Sequence, residues 1–413
     1  MNENMQKIIA NSKLCPIRKE DRRQLLSSEE FSKYKEMVKA KQKEIKEDIN
    51  STNSENCLRL VFIKVDGEMD LSSVDADTIT FDDRTNLSNE EFLPEGFNPA
   101  HFKEQGKDYG LNLKSLHKKG ITGKGVKIAI IDQALSDHEE YHNKILHYEE
   151  MGDNPNAKRF GAMHGSAVTS LAVGTNCGVA PDAEVYYWSA DFWDFKNNVP
   201  DRTYIMEALK KCIEINKKLP VSERIAAISI SGELNETMQG CEKIDEYLKE
   251  AKEVGLEVIY CDMFKKRGLS MNGYNRDMNK DVNDEGNVSP ITNLIDGRMS
   301  HDWFDKDKSK TVLIPCDHRT MASEKGYNEY MHTARGGFSW LPPQVAGLYA
   351  IAKQVDRSCT LERMWDTILK TGVKTEHGIA VAPVRMVEAL EQEKLNTQKK
   401  IMDFNNNYQS KNH

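Results

Sequence analysis

The chain has 413 residues, with 57 Lys and Arg against 65 Asp and Glu and a formal net charge of −8. Hydrophobic residues make up 38% and charged residues 30%, enough apolar material for one large core or two to three smaller ones. The acidic balance argues against nucleic acid as the main partner, because phosphate binding needs a basic face. No stretch approaches the roughly 20 apolar residues that span a bilayer, so no membrane role is expected.

The first twenty residues, MNENMQKIIANSKLCPIRKE, have no apolar core and no small-residue cleavage site, so they do not read as a secretory signal. The eight cysteines (Cys15, Cys57, Cys177, Cys212, Cys241, Cys261, Cys316 and Cys359) are scattered without a CxxC pair. Reduced thiols and a cytoplasmic location are expected. Ser28 precedes EEFSKYKEMVKAKQKEIKEDI, a helix whose apolar stripe (Phe31, Tyr34, Met37, Val38) is narrow enough for a surface or docking role. CLRLVFIKV, Cys57 to Val65, reads as a strand. Residues 66 to about 110 are acidic and rich in Asn and Pro, and read as a linker or a small appended layer. Residues 1–110 are therefore taken as an N-terminal extension, long enough to be a propeptide or a docking region.

From Leu111 the pattern changes. VKIAIID, AEVYYWSA, RIAAISIS and LEVIYC are short, nearly continuous apolar runs, as strands buried on both faces require. Helical segments separate them: HGSAVTSLAVG, TYIMEALKKCIEINKK and MQGCEKIDEYLKEAKEVG. The alternation predicts an α/β fold, a mostly parallel central sheet with helices on both faces. Residues 265–310 are polar and read as a long irregular surface excursion. TVLIPC resumes as a strand, and two helices follow, TLERMWDTILKTG and PVRMVEALEQEKL. The main domain is set at 111–395 and a polar, frayed tail at 396–413.

Three segments carry candidate chemistry. Asp132 ends VKIAIID, and in an open α/β sheet functional groups gather at the carboxyl ends of the strands. His164 opens a helix, where the dipole favours the neutral imidazole that a general base needs. Ser339 lies after Gly336 and Gly337 and before Pro342 and Pro343. The prolines suit a first helical turn, whose N–H groups would be orphaned anyway. Gly337 is expected to let the backbone approach another group closely, and the Ser339 backbone N–H is placed to face a developing oxyanion.

Taken together, these segments resemble the subtilisin-like serine peptidases, the subtilases. KSLHKKGITGKGVKIAIID is similar to that family's approach to its catalytic Asp. HGSAVTSLAVG resembles its HGTHVAG segment, and GVAPDAEVYYWSA its GVAP segment and next strand. GFSWLPPQVAGLYA resembles GTSMAxPHVAG, with Gly337, Ser339, Pro343, Val345, Ala346 and Gly347 in register. The similarity runs over roughly residues 111–392. It implies a three-layer subtilisin-like fold, with Ser339 as nucleophile, His164 as general base and Asp132 orienting it. It also implies a peptide or protein substrate and no cofactor for the chemistry. Structural calcium is common in the family, but no ligand loop here marks a site.

The pattern is broken in places. Gln133-Ala134 replaces the usual Ser/Thr-Gly after the Asp, Ala167 the second His of HGTHVAG, and Gln344 the His after the proline. No Asn follows the strand in GLEVIYCDMFKK, where the family keeps its oxyanion donor; Asp262 is the nearest polar substitute, with Asn272 and Asn275 further on. The SISGE segment aligns with the edge that pairs with an extended substrate, which nominates Ser231, Gly232 and Glu233 for peptide binding. The expected function is a serine endopeptidase, degradative or processing. The alternative is a catalytically impaired pseudo-peptidase that binds peptides or regulates a partner.

Overall fold

The computed structural model describes residues 58–60, 70–152, 162–194, 197, 199–263, 269–291 and 307–411, with isolated helical positions at 40 and 43. The helix expected after Ser28 otherwise lies outside the described residues, and of the strand expected at 57–65 only Leu58–Leu60 falls within them.

In chain order the elements begin with β1 (Leu58–Arg59), β2 (Ile79–Asp82), α1 (Pro99–Lys107) and α2 (Leu113–Lys118). Then come β3 (Lys127–Asp132), β4 (Ile145–Glu150), α3 (Met163–Val173), β5 (Glu184–Ser189), the short pair β6 (Trp193–Asp194) and β7 (Val199–Pro200), α4 (Thr203–Lys218) and β8 (Ile225–Ile230). They continue with α5 (Ile244–Glu253), β9 (Glu257–Tyr260), β10 (Ser270–Asn275), β11 (Ser289–Pro290), β12 (Thr311–Pro315) and a hairpin of β13 (Arg319–Ala322) and β14 (Tyr330–Thr333). The chain closes with α6 (Leu341–Val355), α7 (Leu361–Thr371), β15 (Val373–Thr375), β16 (Gly378–Ala380) and α8 (Pro383–Lys411).

The central sheet has the order β4-β5-β3-β8-β9, with every pair parallel. β3 and β8 are buried along their whole length, which is why their sequences are continuous in apolar residues rather than alternating. Because β3 lies between β5 and β8, its carboxyl end opens where neighbouring loops diverge, the position at which α/β sheets place their sites. Helices α3 and α6 are almost wholly buried and pack on each other. Gly347 permits that approach, since a Cβ there would stand 2.7 Å from Cβ of Val179 and 3.0 Å from the Ala172 carbonyl oxygen.

The irregular excursion expected at 265–310 is corrected in part. Residues 270–275 form β10, buried throughout and parallel to β12, in a second sheet of order β11-β10-β12-β16-β15. Its sequence, SMNGYN, hides the strand because polar residues are buried within it. Ser270, for example, bonds its hydroxyl to that of Thr311 at 2.5 Å, so a polar pattern coexists with a dry position.

Residues 70–107 hold a small core of their own, with Leu71, Ile79, Phe81, Leu93, Phe97 and Phe102 packed against Leu60 and Met278. β2 pairs antiparallel with β14, so this layer shares a sheet with the hairpin that leads to Ser339. Lys325 bonds the buried Asp82 at 2.7 Å and Arg84 bonds Glu329 at 2.5 Å across the junction.

Two imidazoles are buried at this junction. His318 Nδ1 lies 3.3 Å from His332 Nε2, and His332 Nδ1 lies 3.0 Å from the Thr320 hydroxyl. Phe102 on α1 and Phe81 on β2 pack against them, and Asp77 stands 3.7 Å from His318. Burial, then the nearby Arg276, pulls the His318 pKa down to about 3. Burial, then His318, Arg276 and Arg319, pulls His332 well below its ordinary value. Both are therefore neutral in the fold and protonate more readily in the unfolded chain. Their contribution to stability is full above about pH 6.5 and is lost as pH falls below it. Between pH 7 and pH 5 these two groups are expected to contribute a loss of stability with a slope nearing two protons, and His332→Gln, which cannot titrate, is expected to lower the slope measured by denaturant unfolding by about one.

Candidate functional site

Asp132 ends β3 fully buried. Its Oδ1 accepts from the Gln133 N–H at 2.8 Å and from Nδ1 of His164 at 2.7 Å. Its Oδ2 is buried and has no hydrogen-bond partner among the described residues. His164 is the second residue of α3. Gly165 brings that helix down onto the loop after β3, because a Cβ there would overlap the Gln133 carbonyl and stand 2.6 Å from the Tyr187 hydroxyl. The helix start is thus wedged against the strand end, and the aspartate–imidazole contact follows from that packing.

Ser339 sits in a single 3₁₀ turn, Phe338–Trp340, that runs directly into α6 with both prolines in its first turn. The loop is tied down on several sides. The Gly336 N–H donates to Asp317 at 2.7 Å, the Cys316 thiol donates to the Gly337 carbonyl at 3.4 Å, and Gln344 donates to the carbonyls of Pro315 and Trp340, each at 2.8 Å. Gln344 is buried here and acts as a strut between α6 and the end of β12. The close backbone approach expected at Gly337 is found one residue earlier. A Cβ on Gly336 would overlap the Cys316 carbonyl, whereas one on Gly337 would meet nothing nearer than 3.9 Å. Gly337 has an ordinary extended backbone, so its substitution is not strained. Gly336→Ala is accordingly expected to disrupt the loop and lose most labelling of Ser339 by a fluorophosphonate probe, and Gly337→Ala to keep it, as measured by labelling rates on folded protein.

The end of β8 meets this loop through reciprocal bonds. The Ser231 hydroxyl donates to the Ser339 carbonyl at 2.8 Å, and the Ser339 hydroxyl donates to the Ser231 carbonyl at 3.3 Å. The imidazole of His164 lies beside the next residue, with ring centroids 5.5 Å from Trp340 and 6.3 Å from Phe192. Asp132 and His164 are joined, and Ser339 is brought to the same rim of the sheet. Its hydroxyl, however, is turned to Ser231 rather than to the imidazole. Trp340 and Leu341 spend their N–H groups on the carbonyls of Gly337 and Phe338, and the prolines have none. The Ser339 N–H therefore remains without a partner among the described residues, at the positive end of α6.

Asp262, just past the end of β9, accepts at Oδ1 from the Leu234 N–H at 3.0 Å, so that oxygen caps the turn after β8. Asn272 lies within buried β10 and Asn275 at its end, where Asn275 Oδ1 accepts from the Arg276 N–H at 2.7 Å. Gly232 and Glu233 continue past β8, the Gly232 carbonyl accepting from the Cys261 N–H at 3.0 Å. Phe192 and Arg202, which the sequence did not nominate, flank this segment. The aromatic cluster in DFWDF after β5 was the available signal, but only the fold shows that Phe192 lies against His164 and Gly232.

Burial acts most strongly on His164 and would lower its pKa, but the Asp132 charge and the hydrogen bond to it outweigh burial, leaving the imidazole raised above its ordinary 6.5. A base must be neutral, so the acid limb of activity is expected at a pH above 6.5, read from the pH dependence of kcat/KM or of probe labelling. A limb at or below 6.5 would contradict the aspartate's influence.

Among the described residues no group of three or more His, Cys, Asp or Glu side chains gathers to hold a metal ion. One cage of oxygens, the carbonyls of Glu140 and Val173 and the Thr175 hydroxyl, surrounds the Lys144 ammonium at 2.8, 2.6 and 2.9 Å. That cage is filled by a side chain and does not fit an added calcium ion.

No protein-family model and no curated protein matches the chain. Solved structures are similar to it. The prenylagaramide maturation protease PagA is 14% identical, with 68% of this chain and 98% of that one covered and a TM-score of 0.46. A protease from Pseudoalteromonas arctica is 17% identical over 70% of this chain and 96% of its own, with a TM-score of 0.45. For a cold-adapted subtilisin-like serine proteinase the values are 15%, 63%, 88% and 0.39. The architecture itself is a parallel five-stranded sheet flanked by helices. No helix of the described residues is long and apolar enough to cross a membrane.

Proposed function

We propose that the chain is a serine endopeptidase that hydrolyses peptide bonds through an acyl-enzyme on Ser339. The observation that carries this reading is the 2.7 Å bond between His164 and the buried Asp132, at the rim where Ser339 begins a helix. The Ser339 hydroxyl turns from Ser231 to the Nε2 of His164 and gives up its proton as Oγ bonds to the substrate carbonyl carbon. The carbonyl π electrons move onto oxygen, where the Ser339 N–H receives them. Asp132 stabilises the imidazolium. The imidazolium then passes its proton to the leaving nitrogen as the C–N bond breaks. Water repeats the sequence, losing a proton to His164 and releasing the acid and Ser339.

With one oxyanion donor fewer than the family pattern, turnover about 10²–10³ below a full site is expected. Six described cysteines are buried free thiols, which supports a reducing, cytoplasmic setting. The test is a fluorophosphonate probe with mass-spectrometric mapping. The probe is expected on Ser339, to be lost in Ser339→Ala, and to fall by about four orders of magnitude in rate in Asp132→Asn. Folded protein that neither takes the probe nor cleaves a peptide library overturns the enzyme and supports the second reading, a peptide-binding pseudo-peptidase. What favours that second reading is the Ser339 hydroxyl's bond to Ser231 in place of His164.

A further inference from the structure

The chain just past β8 is the segment on which an extended peptide would add as a strand, and what faces it there is unusual. β3 pairs with β8 only as far as Ile131 opposite Ile230. On the other side the Gly232 carbonyl accepts from the Cys261 N–H, continuing the β9 side of the sheet. The Gly232 N–H folds back on the Ile230 carbonyl at 2.9 Å, so the chain turns tightly at Ser231, and the carbonyls of Ser231 and Glu233 lie beyond the last pairing with β3. Both are already taken by this chain's own donors. The Ser339 hydroxyl donates to the Ser231 carbonyl at 3.3 Å, and Nε of Arg202 donates to the Glu233 carbonyl at 3.4 Å.

The same guanidinium donates through Nη1 to the Phe192 carbonyl and lies 5.1 Å from the centroid of the Phe192 ring. That ring rests on Gly232 so closely that a Cβ there would stand 2.5 Å from its Cε1, and it reaches the flank of His164. Arg202 is fixed at its backbone. Its N–H donates to the Gln239 carbonyl at 2.9 Å and its own carbonyl accepts from Met206 at the start of α4. Opening the edge therefore requires moving the side chain alone.

We propose that Arg202 and Phe192 form a clasp that keeps the peptide-binding edge bonded to the chain itself, so that an extended substrate binds only by displacing it. The proposal rests on the reading of Ser231–Glu233 as that edge. The guanidinium stands where a substrate N–H would donate, and the ring stands where the substrate backbone would lie. A peptide entering the closed edge exchanges one hydrogen bond for another and gains little from either. Substrates that bring additional contacts of their own open it, which makes the protease selective and quiet in their absence.

The test uses full-length protein carrying Ser339→Ala and a fluorescein-labelled ten-residue peptide of alternating alanine and serine, because strand addition reads the main chain. Binding is followed by fluorescence anisotropy with and without Arg202→Met, which keeps the apolar stem and removes the donors. Release of the clasp is expected to tighten binding about tenfold, the worth of one exchanged hydrogen bond. Phe192→Ala, which removes only the ring, is expected to act in the same direction and decides the matter alone if Arg202→Met lowers the melting temperature. Unchanged or weaker binding in a variant that melts with its parent, including no measurable binding in either, overturns the clasp. Probe labelling of the Ser339 protein is scored separately. A small fluorophosphonate needs no edge, so its failure would sink the peptidase reading and leave the binding result standing.

Discussion

The hydrogen bond between Asp132 and His164 is the contact on which the site depends, and it is made by the fold before any substrate arrives. Burying a carboxylate out of water costs free energy unless donors receive it, and Asp132 has two donors on one oxygen, a backbone N–H and an imidazole. The arrangement works only because β3 ends where α3 begins in space, and Gly165 sets that proximity by having no side chain. The same bond that positions the imidazole also raises its basicity, so location and reactivity have one cause.

Around that bond the structure divides its labour between a rigid frame and one adjustable group. The loop before Ser339 is held from β12 by Cys316 and Asp317, and from α6 by Gln344. The hydroxyl itself is the part left to rotate. Its resting partner, the Ser231 carbonyl, belongs to the edge where a peptide would lie. On the peptidase reading proposed above, nucleophile and binding edge hold one another when the groove is empty. Arg202 extends the same principle along the edge to Glu233.

Much of this was legible in the sequence, and the reason is local. VKIAIID, the histidine opening HGSAVTSLAVG and the glycine–serine–proline run each state a strand end or a helix start within a few residues. Their meeting point then follows from the topology of a parallel sheet. What escaped the sequence was non-local. The burial of β10 was masked because polar residues stand within it, Ser270 bonding Thr311 on β12 and Asn275 accepting from the Arg276 N–H just past its end. β2 finds its pairing strand some 250 residues away in β14, so the stretch around it reads as a linker until the hairpin is in place. Gly336 and Gly337 are indistinguishable as letters, and only the position of the Cys316 carbonyl separates them. Asp262 was nominated by its place after the β9 strand, and only the fold shows that one of its oxygens is spent on the Leu234 N–H. Of the aromatic and guanidinium pair beside the groove, the DFWDF cluster signalled only the ring, and nothing in the sequence signalled Arg202.

The ammonium of Lys144, seated among the oxygens of Glu140, Val173 and Thr175, has a consequence for where this protein can work. A dissolved counterion holding such a turn would come and go with its concentration, and sequestering agents would strip it. A positive charge carried on a side chain cannot be diluted away; its equilibrium is with protons instead, burial lowering the Lys144 pKa to about 8. The turn that follows the histidine-bearing helix is thereby insulated from the mineral content of its surroundings.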